Sequence, residues 1–381
     1  MDFRFSKEQD ELRDKTVDFI QRELTPEKAR KIDQEDVFPF KLMQKMADEG
    51  FWSLNVPKEY GGDGGGIVEM MIFNEQISSA SPTISWTSGD VLLYGNNILK
   101  VNGNDEQRRK YFPGLMSGEL FFCFALTEPN AGSDAAAIET SAVPVDNHYV
   151  INGGKMFISG GSAANIAVTN TRTGPSRYKG ITSFLVDTSS EGYSATPIKK
   201  LGYKGSDTCE LYYKDVKVDR ESILGGEENL DQGWYQMMRL LNGERLVLSA
   251  CALGIADAVM ADCIAYVKER KKLSRTSGTF QHIEHQIADM ACQIEAGRRL
   301  AYHSAWMMAE KMDCVKETSM SKCFCADTGK KAALMAMELM GTHGYSMTSD
   351  VQRFFRDIPI LSIGGGTSQI QKNVIAKVIG L

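Results

Sequence analysis

Leu126-Thr127-Glu128-Pro129-Asn130-Ala131-Gly132-Ser133-Asp134 divides the chain into two textures, and the fold is read from the change across it. Its Pro and Gly make a tight turn in which backbone N–H groups and hydroxyls can approach a flat ligand closely; read alone, it joins a helix to a strand. Before it, residues 1–120 are patterned as helices. Ser6 and Gln9 are spaced as a capping box, and Leu12, Val17, Phe19 and Ile20 supply an apolar stripe. The stretch Pro57–Gly66 does not fit a GxGxxG loop and reads as a flexible connector before a helix that starts near Ile67. After the turn, β-rich runs at 148–155, 166–169, 181–186 and 210–218 are separated by Gly, Asn, Asp and Ser, as in a barrel or sandwich. Past Gly233, long Ala/Met/Leu-rich segments at 234–270, 280–312 and 317–341 are helical again. Blocks of helices, strands and helices give an α+β fold and not alternating βαβ units. The expected domains are 1–120 (helical), 121–228 (β) and 229–381 (helical).

The composition is that of an ordinary globular protein: 381 residues, 43% hydrophobic and 24% charged, enough for two or three packed layers or domains. A net charge of -6 without a Lys/Arg block argues against a nucleic-acid surface. The most basic stretch, 268–272, is a helix face or a contact for an anionic cofactor. Eight cysteines show no CxxC and no zinc spacing, so no metal site is expected, and small thiols in apolar surroundings suit a reducing compartment. The first residues lead into a charged amphipathic helix with no apolar h-region, and no apolar run approaches ~20 residues. A soluble, cytoplasmic protein that spans no membrane is therefore expected. Five scattered histidines and no GxSxG disfavour a hydrolase.

Four further stretches carry chemistry. Gly153-Gly-Lys-Met-Phe157-Ile-Ser159-Gly160 places an aromatic, an aliphatic and a hydroxyl residue in succession, although Phe157 alone reads equally as a strand core residue. Lys200-Leu-Gly-Tyr-Lys-Gly-Ser206-Asp-Thr208 could be a hydrophilic hairpin. Arg270, followed by Phe280-Gln281, offers a planar fork suited to a pyrophosphate. The tail holds Ile363-Gly364-Gly365-Gly366-Thr367-Ser368-Gln369-Ile370.

Together with Leu126–Asp134, Gly341-Thr-His-Gly344 and Arg356-Asp357, these stretches resemble, in order and along the whole chain, the motifs of the acyl-CoA dehydrogenases. That resemblance implies a helical N-terminal domain, a central β-barrel and a C-terminal four-helix bundle. It also implies non-covalent FAD held by Leu126, Thr127, Ser133, Phe157, Ser159, Arg270, Gln281, Gly341, Thr367 and Gln369. In it, Phe157 shields a flavin face, Ser159 donates to flavin N5, and Ser133 lies where cofactor and CoA meet. Arg270 and Gly341 reach the FAD of a neighbouring subunit, which implies a homotetramer (a dimer of dimers). Leu273 and Ser274 replace the family's usual Phe-Gly.

Desaturating a thioester at Cα–Cβ needs a carboxylate for the α-proton, an acceptor for the β-hydride, and hydrogen bonds to the enolate oxygen. Many relatives carry the catalytic glutamate where this chain has Gly365. A subgroup resembling isovaleryl-CoA and long-chain acyl-CoA dehydrogenases carries it just before an arginine of an earlier helix, the position of Glu244-Arg245. Gly365 keeps the backbone N–H that serves the enolate oxygen in the family. Burial beside an apolar acyl group would raise the pKa of Glu244 and make it a better base; otherwise it is a solvated helix charge beside Arg245. Leu241, Arg245, Ser133 and Asp90 complete the expected substrate contacts. Asp90 falls on the helix that lines the acyl chain in relatives. It either hydrogen-bonds Asn96 or Asn97 or serves the substrate, since an unpaired buried carboxylate costs several kcal/mol.

The expected reaction is dehydrogenation of a short, branched or cyclic acyl-CoA, with electrons leaving to an electron-transferring flavoprotein. Two alternatives remain open. One is 1,4-dehydrogenation of a cyclic enoyl-CoA such as cyclohex-1-ene-1-carboxyl-CoA with Asp90 as base, with a related variant that reduces an enoyl-CoA. The other is a flavin- or CoA-binding protein without turnover.

Overall fold

The computed structural model describes residues 4–273 and 280–381. Helices α1 (Lys7–Glu23), α2 (Pro26–Glu35), α3 (Phe40–Asp48), α4 (Ile67–Ala80), α5 (Pro82–Val91), α6 (Ile98–Asn102) and α7 (Asp105–Ser117) form the first block. The capping box at Ser6 is present: its side chain accepts from the Gln9 N–H, and the Gln9 side chain accepts from the Ser6 N–H. The Pro57–Gly66 segment differs from expectation. It is an ordered turn whose Asp63, Gly64 and Gly65 N–H groups donate to the carbonyls of Ser53, Val56 and Leu54. Gly62 packs so tightly there that a Cβ would lie 2.2 Å from the Val56 carbonyl oxygen. Glycine is needed in this turn for close packing, not for freedom of movement.

Between α5 and α6 the helical path widens into a π-turn, Leu92–Asn97. Two asparagines pin it. Asn55 Nδ2 donates to the Leu92 carbonyl, and Asn96 Nδ2 donates to the Trp52 carbonyl and to Asn55 Oδ1. Such turns mark functional positions more often than chance.

The strands are β1 (Phe122–Ala125), β2 (Ser141–Val145), β3 (His148–Ser159), β4 (Ile166–Arg172), β5 (Ile181–Asp187), β6 (Tyr193–Pro197) and β7 (Thr208–Asp219). They form one sheet in the order β1-β4-β2-β3-β7-β6, with β5 added on β4. The β-domain is thus a half-barrel, open rather than closed. β1 runs parallel to β4, so the first strand enters the sheet straight from the helical block and leaves Leu126 at the rim. Strand β3 loses register against β7 between Lys155 and Ile158, and that bulge turns Phe157 out of the sheet.

Long helices α8 (Gly233–Leu273), α9 (Gln281–Ala309) and α10 (Val315–Met340) pack with α13 (Ser368–Val378) as the C-terminal bundle; α11 (Thr342–Tyr345) and α12 (Val351–Asp357) connect them. α8 also packs along α4, where a Cβ on Gly254 would lie 2.2 Å from the Glu75 carbonyl oxygen. By length and composition α8 is apolar enough to cross a membrane, which corrects the expectation that no such run exists. Yet 67% of its most apolar window is buried within the protein. Its apolarity is that of a core helix wrapped by neighbours on several sides.

Candidate active site

Glu244 sits on α8 at the wall of a small cavity lined by Leu93, Tyr94, Phe124, Met237 and Leu241. The cavity measures ≈ 10 Å³, room for about one water. Tyr94 Oη donates to Glu244 Oε1 at 3.1 Å, and the Tyr94 ring stacks on Phe124 with centroids 5.3 Å apart and planes 11° apart. Burial pushes the Glu244 carboxyl above its ordinary value; the Tyr94 bond, Arg245 and Lys322 oppose that push.

The tail meets this carboxylate. Gly365 has φ +61°, and a Cβ placed on it would lie 3.4 Å from Glu244 Oε1 and 2.5 Å from Leu248 Cδ1. A side chain at 365 and the side chain of Glu244 therefore compete for one place. The Gly365 carbonyl accepts from Gln371 Nε2, whereas its N–H donates to nothing among the described residues. Lys322, buried on α10, donates to the Gly366 carbonyl and locks the glycine run onto the bundle. Burial pulls its ammonium down to about 8, and Glu244 works against that shift. Leu241 lines the cavity as expected. Arg245 is buried and donates to Asn242 Oδ1, with its Nε unpartnered.

The residues expected to hold FAD fit a flat, partly apolar group. Phe157 has φ +61°, a conformation a bulky residue rarely adopts, and its ring is 59% exposed. Holding it there costs roughly 1–3 kcal/mol. The strain is imposed from both sides. The Met156 N–H donates to the Thr127 carbonyl at 2.8 Å, and buried Lys155 donates to the Leu126 carbonyl at 3.0 Å and to Glu128 Oε1 at 2.8 Å. Glu128 also accepts from the Glu139 and Thr140 N–H groups. Burial draws the Lys155 ammonium down to about 8. Burial pushes Glu128 up, but Lys155 and the two amides outweigh it, so its pKa is lowered. One buried ion pair thus fixes the Leu126–Thr127 segment and the Phe157–Ser159 bulge together.

Ser159 Oγ accepts from Trp86 Nε1 at 2.7 Å. Trp86 also packs on Tyr203 (centroids 4.9 Å apart), and its far edge lies 3.3 Å from where a Cβ on Gly364 would be. Trp86 therefore ties the Ser159 strand to the glycine tail and so to Glu244.

Asp90, one helical turn after Trp86, is 1% exposed, and neither carboxylate oxygen has a hydrogen-bond partner. The expected bond to Asn96 or Asn97 is absent, because the Asn96 amide N is committed to Trp52 and Asn55 in pinning the π-turn. Asp90 does not line the cavity. It lies under Gly160, where a Cβ would come within 2.8 Å of its Oδ2. Burial first, and the charge of Asp207 second, push its carboxyl well above the usual range. The loop at 200–208 is tied to the tail domain: the Tyr203 N–H donates to buried Asp357, and Arg356 donates to the Leu201 carbonyl and, through both terminal nitrogens, to Asp33. The Arg356-Asp357 motif thus has a structural task.

Arg270 donates to Tyr266 Oη, and Tyr266 packs against His343, so Arg270 and the Gly341 turn share one end of the bundle. Gly341 has φ +55° and open space beyond it. No hydrogen bond or ring contact among the described residues joins this group to Phe157 or Glu244. Gln281 begins α9 and is exposed, as are Ser133 and Gln369; Thr367 caps α13 by accepting from the Ile370 N–H. Ser274, one of the two departures near Arg270, lies outside the described residues, as does the side chain of Leu273. Sequence reasoning passed over Trp86, Tyr94, Phe124, Lys155 and Lys322. The available signal for Lys155 was a charged residue at an inward position of a β-run; Tyr94 had none.

The chain matches the acyl-CoA dehydrogenase N-terminal domain over residues 6–119, the middle domain over 123–216 and the C-terminal domain over 231–380. It is 36% identical over 374 residues to an acyl-CoA dehydrogenase of Bacillus subtilis (strain 168), covering 98% of each chain. It is 34% identical over 375 residues, again 98% of each, to subunit CarC of the caffeyl-CoA reductase-Etf complex of Acetobacterium woodii. Among solved structures, butyryl-CoA dehydrogenase from Megasphaera elsdenii superposes with a TM-score of 0.93 at 30% identity over 100% of both chains.

Proposed function

This chain belongs to the acyl-CoA dehydrogenase family, and we propose that Glu244 is its catalytic base, removing the α-proton of a short, branched or cyclic acyl-CoA. Membership makes it an FAD-dependent oxidoreductase acting on CH–CH groups. The observation that carries the proposal is the convergence of two chain positions: the Glu244 carboxylate occupies the space beside Gly365 that a side chain there would claim. Its raised pKa suits it to a weak carbon acid. The free Gly365 N–H supplies one donor for the enolate oxygen. FAD, when bound, supplies the acceptor for the β-hydride. Leu126, Thr127, Phe157 and Ser159 would hold the flavin, and Arg270, Gln281, Gly341, Thr367 and Gln369 its remainder across subunits of a cytoplasmic homotetramer. The apolar lining by Leu93, Ile98, Phe124, Met237 and Leu241 suits the hydrocarbon part of an acyl group. Electrons would leave to an electron-transferring flavoprotein, in line with the Etf complex to which one relative belongs.

One observation favours a second reading, 1,4-dehydrogenation of a cyclic enoyl-CoA with Asp90 as base. Asp90 is an unpartnered carboxyl one residue's breadth from Ser159. Anaerobic flavin bleaching by straight, branched and alicyclic acyl-CoAs separates the two. Loss of bleaching by saturated thioesters in Glu244→Gln, with FAD retained, supports the first reading. Bleaching by cyclic enoyl thioesters alone, abolished in Asp90→Asn and kept in Glu244→Gln, supports the second.

A further inference from the structure

We propose that Tyr94 is a positioning residue for the base, holding one Glu244 oxygen by hydrogen bond, and that its ring sets the depth of the acyl cavity. This rests on the reading of Glu244 as base. Three independent observations converge on Tyr94. Its hydroxyl is the one hydrogen-bond partner of the Glu244 carboxylate among the described residues, leaving the second oxygen free to take a proton. Its ring, stacked on Phe124, forms part of the wall of the cavity at Glu244. It also stands in the π-turn, which the Asn55–Asn96 pair and the packing of Gly95 on Leu115 hold open. A π-turn changes the direction of the side chains it carries relative to a regular helix.

The direction of the bond is settled by chemistry. Burial, then the negative charge of Glu244, hold the phenol protonated far above neutral pH, so Tyr94 donates and the carboxylate accepts. A donated bond favours the anion, the form that acts as base. The other charged groups facing Glu244 are Arg245 on its own helix and Lys322 on α10; Asp90 acts on Tyr94 from the preceding helical turn. Arg245 donates to Asn242 and Lys322 to the Gly366 carbonyl, neither bond involving Tyr94, so removing the phenol hydroxyl isolates one contribution.

The test is the pH dependence of anaerobic flavin bleaching by butyryl-CoA and octanoyl-CoA in Tyr94→Phe, Tyr94→Leu and Glu244→Gln holoenzymes. In Tyr94→Phe, with FAD content unchanged, the acid limb should move up by about one pH unit, so that the rate on that limb falls about tenfold while the plateau above it is kept. Tyr94→Leu should in addition raise the octanoyl-to-butyryl ratio of kcat/KM by about tenfold, mainly through KM. An unmoved acid limb in Tyr94→Phe overturns the positioning role, and an unmoved chain-length ratio in Tyr94→Leu overturns the cavity role. If Glu244→Gln retains bleaching, the base reading itself fails, which is distinct from a Tyr94 variant behaving as wild type while Glu244→Gln is inactive.

Discussion

A base can move from one element to another only if both positions reach the same point, and Gly365 and Glu244 do: one offers a Cβ direction, the other the carboxylate 3.4 Å away. That pairing was legible in the sequence because a glycine stood where a glutamate was due and a glutamate stood before an arginine. Asp90 was legible as an oddity but not as an unpaired group, since composition does not show that Asn96 is already committed. Its stability effect has a definite sign. The folded protein keeps Asp90 protonated well above 3.8, where the unfolded chain ionises. Its contribution is therefore fully present below pH 3.8 and lost as pH rises through the higher folded value. Asp90→Asn should stabilise the protein at pH 7 by about 1–3 kcal/mol, with the gain vanishing near pH 4. Thermal unfolding of both proteins from pH 4 to 8 checks this, and a gain that does not depend on pH would mean that Asp90 is not the titrating group.

At the scale of elements, the alternation of β-rich runs and the long apolar helices were readable because periods of two and 3.6 are written directly into side-chain order. The π-turn was not, because an extra residue per turn leaves no repeating pattern, and its cause is tertiary: Asn55 from a distant loop accepts from and donates to it. The Lys155–Glu128 pair is a second element-scale device. It couples the Leu126–Thr127 rim of β1 to the bulge of β3, so on the proposed flavin site it should act on flavin retention as well as on folding. Lys155→Met leaves Glu128 buried without its cation and should cost about 3–5 kcal/mol, with FAD lost on gel filtration. Adding Glu128→Gln should recover part of the stability. Unchanged unfolding and full FAD content in Lys155→Met would show that the pair does not hold the flavin loop.

For the whole molecule, the helical blocks clasp an open half-barrel, and α8 is the shared spine of both the bundle and the site. The sequence foretold blocks in the right order, but not that α8 would pass as a membrane helix by composition; a helix buried on several sides is apolar all round. In the proposed shared site, the Arg270–Tyr266–His343 group would serve the cofactor of a neighbouring subunit. Light scattering of the 42.2 kDa chain should then give a tetramer. Arg270→Ala should weaken FAD retention, and when it is assayed with excess FAD the acid limb of bleaching, assigned to Glu244 as the proposed base, should be unchanged. A monomer that retains FAD would contradict the shared site.

The most direct measurement of the role of Glu244 is solvent deuterium exchange at Cα of a 3-thia-acyl-CoA, whose sulfur replaces the β-carbon so that no β-hydride is available. Only proton removal is then observed. Wild-type holoenzyme should exchange the α-proton, and Glu244→Gln should exchange it at least about a thousandfold more slowly while binding the ligand and FAD as before. Exchange at the wild-type rate in Glu244→Gln would place the base elsewhere.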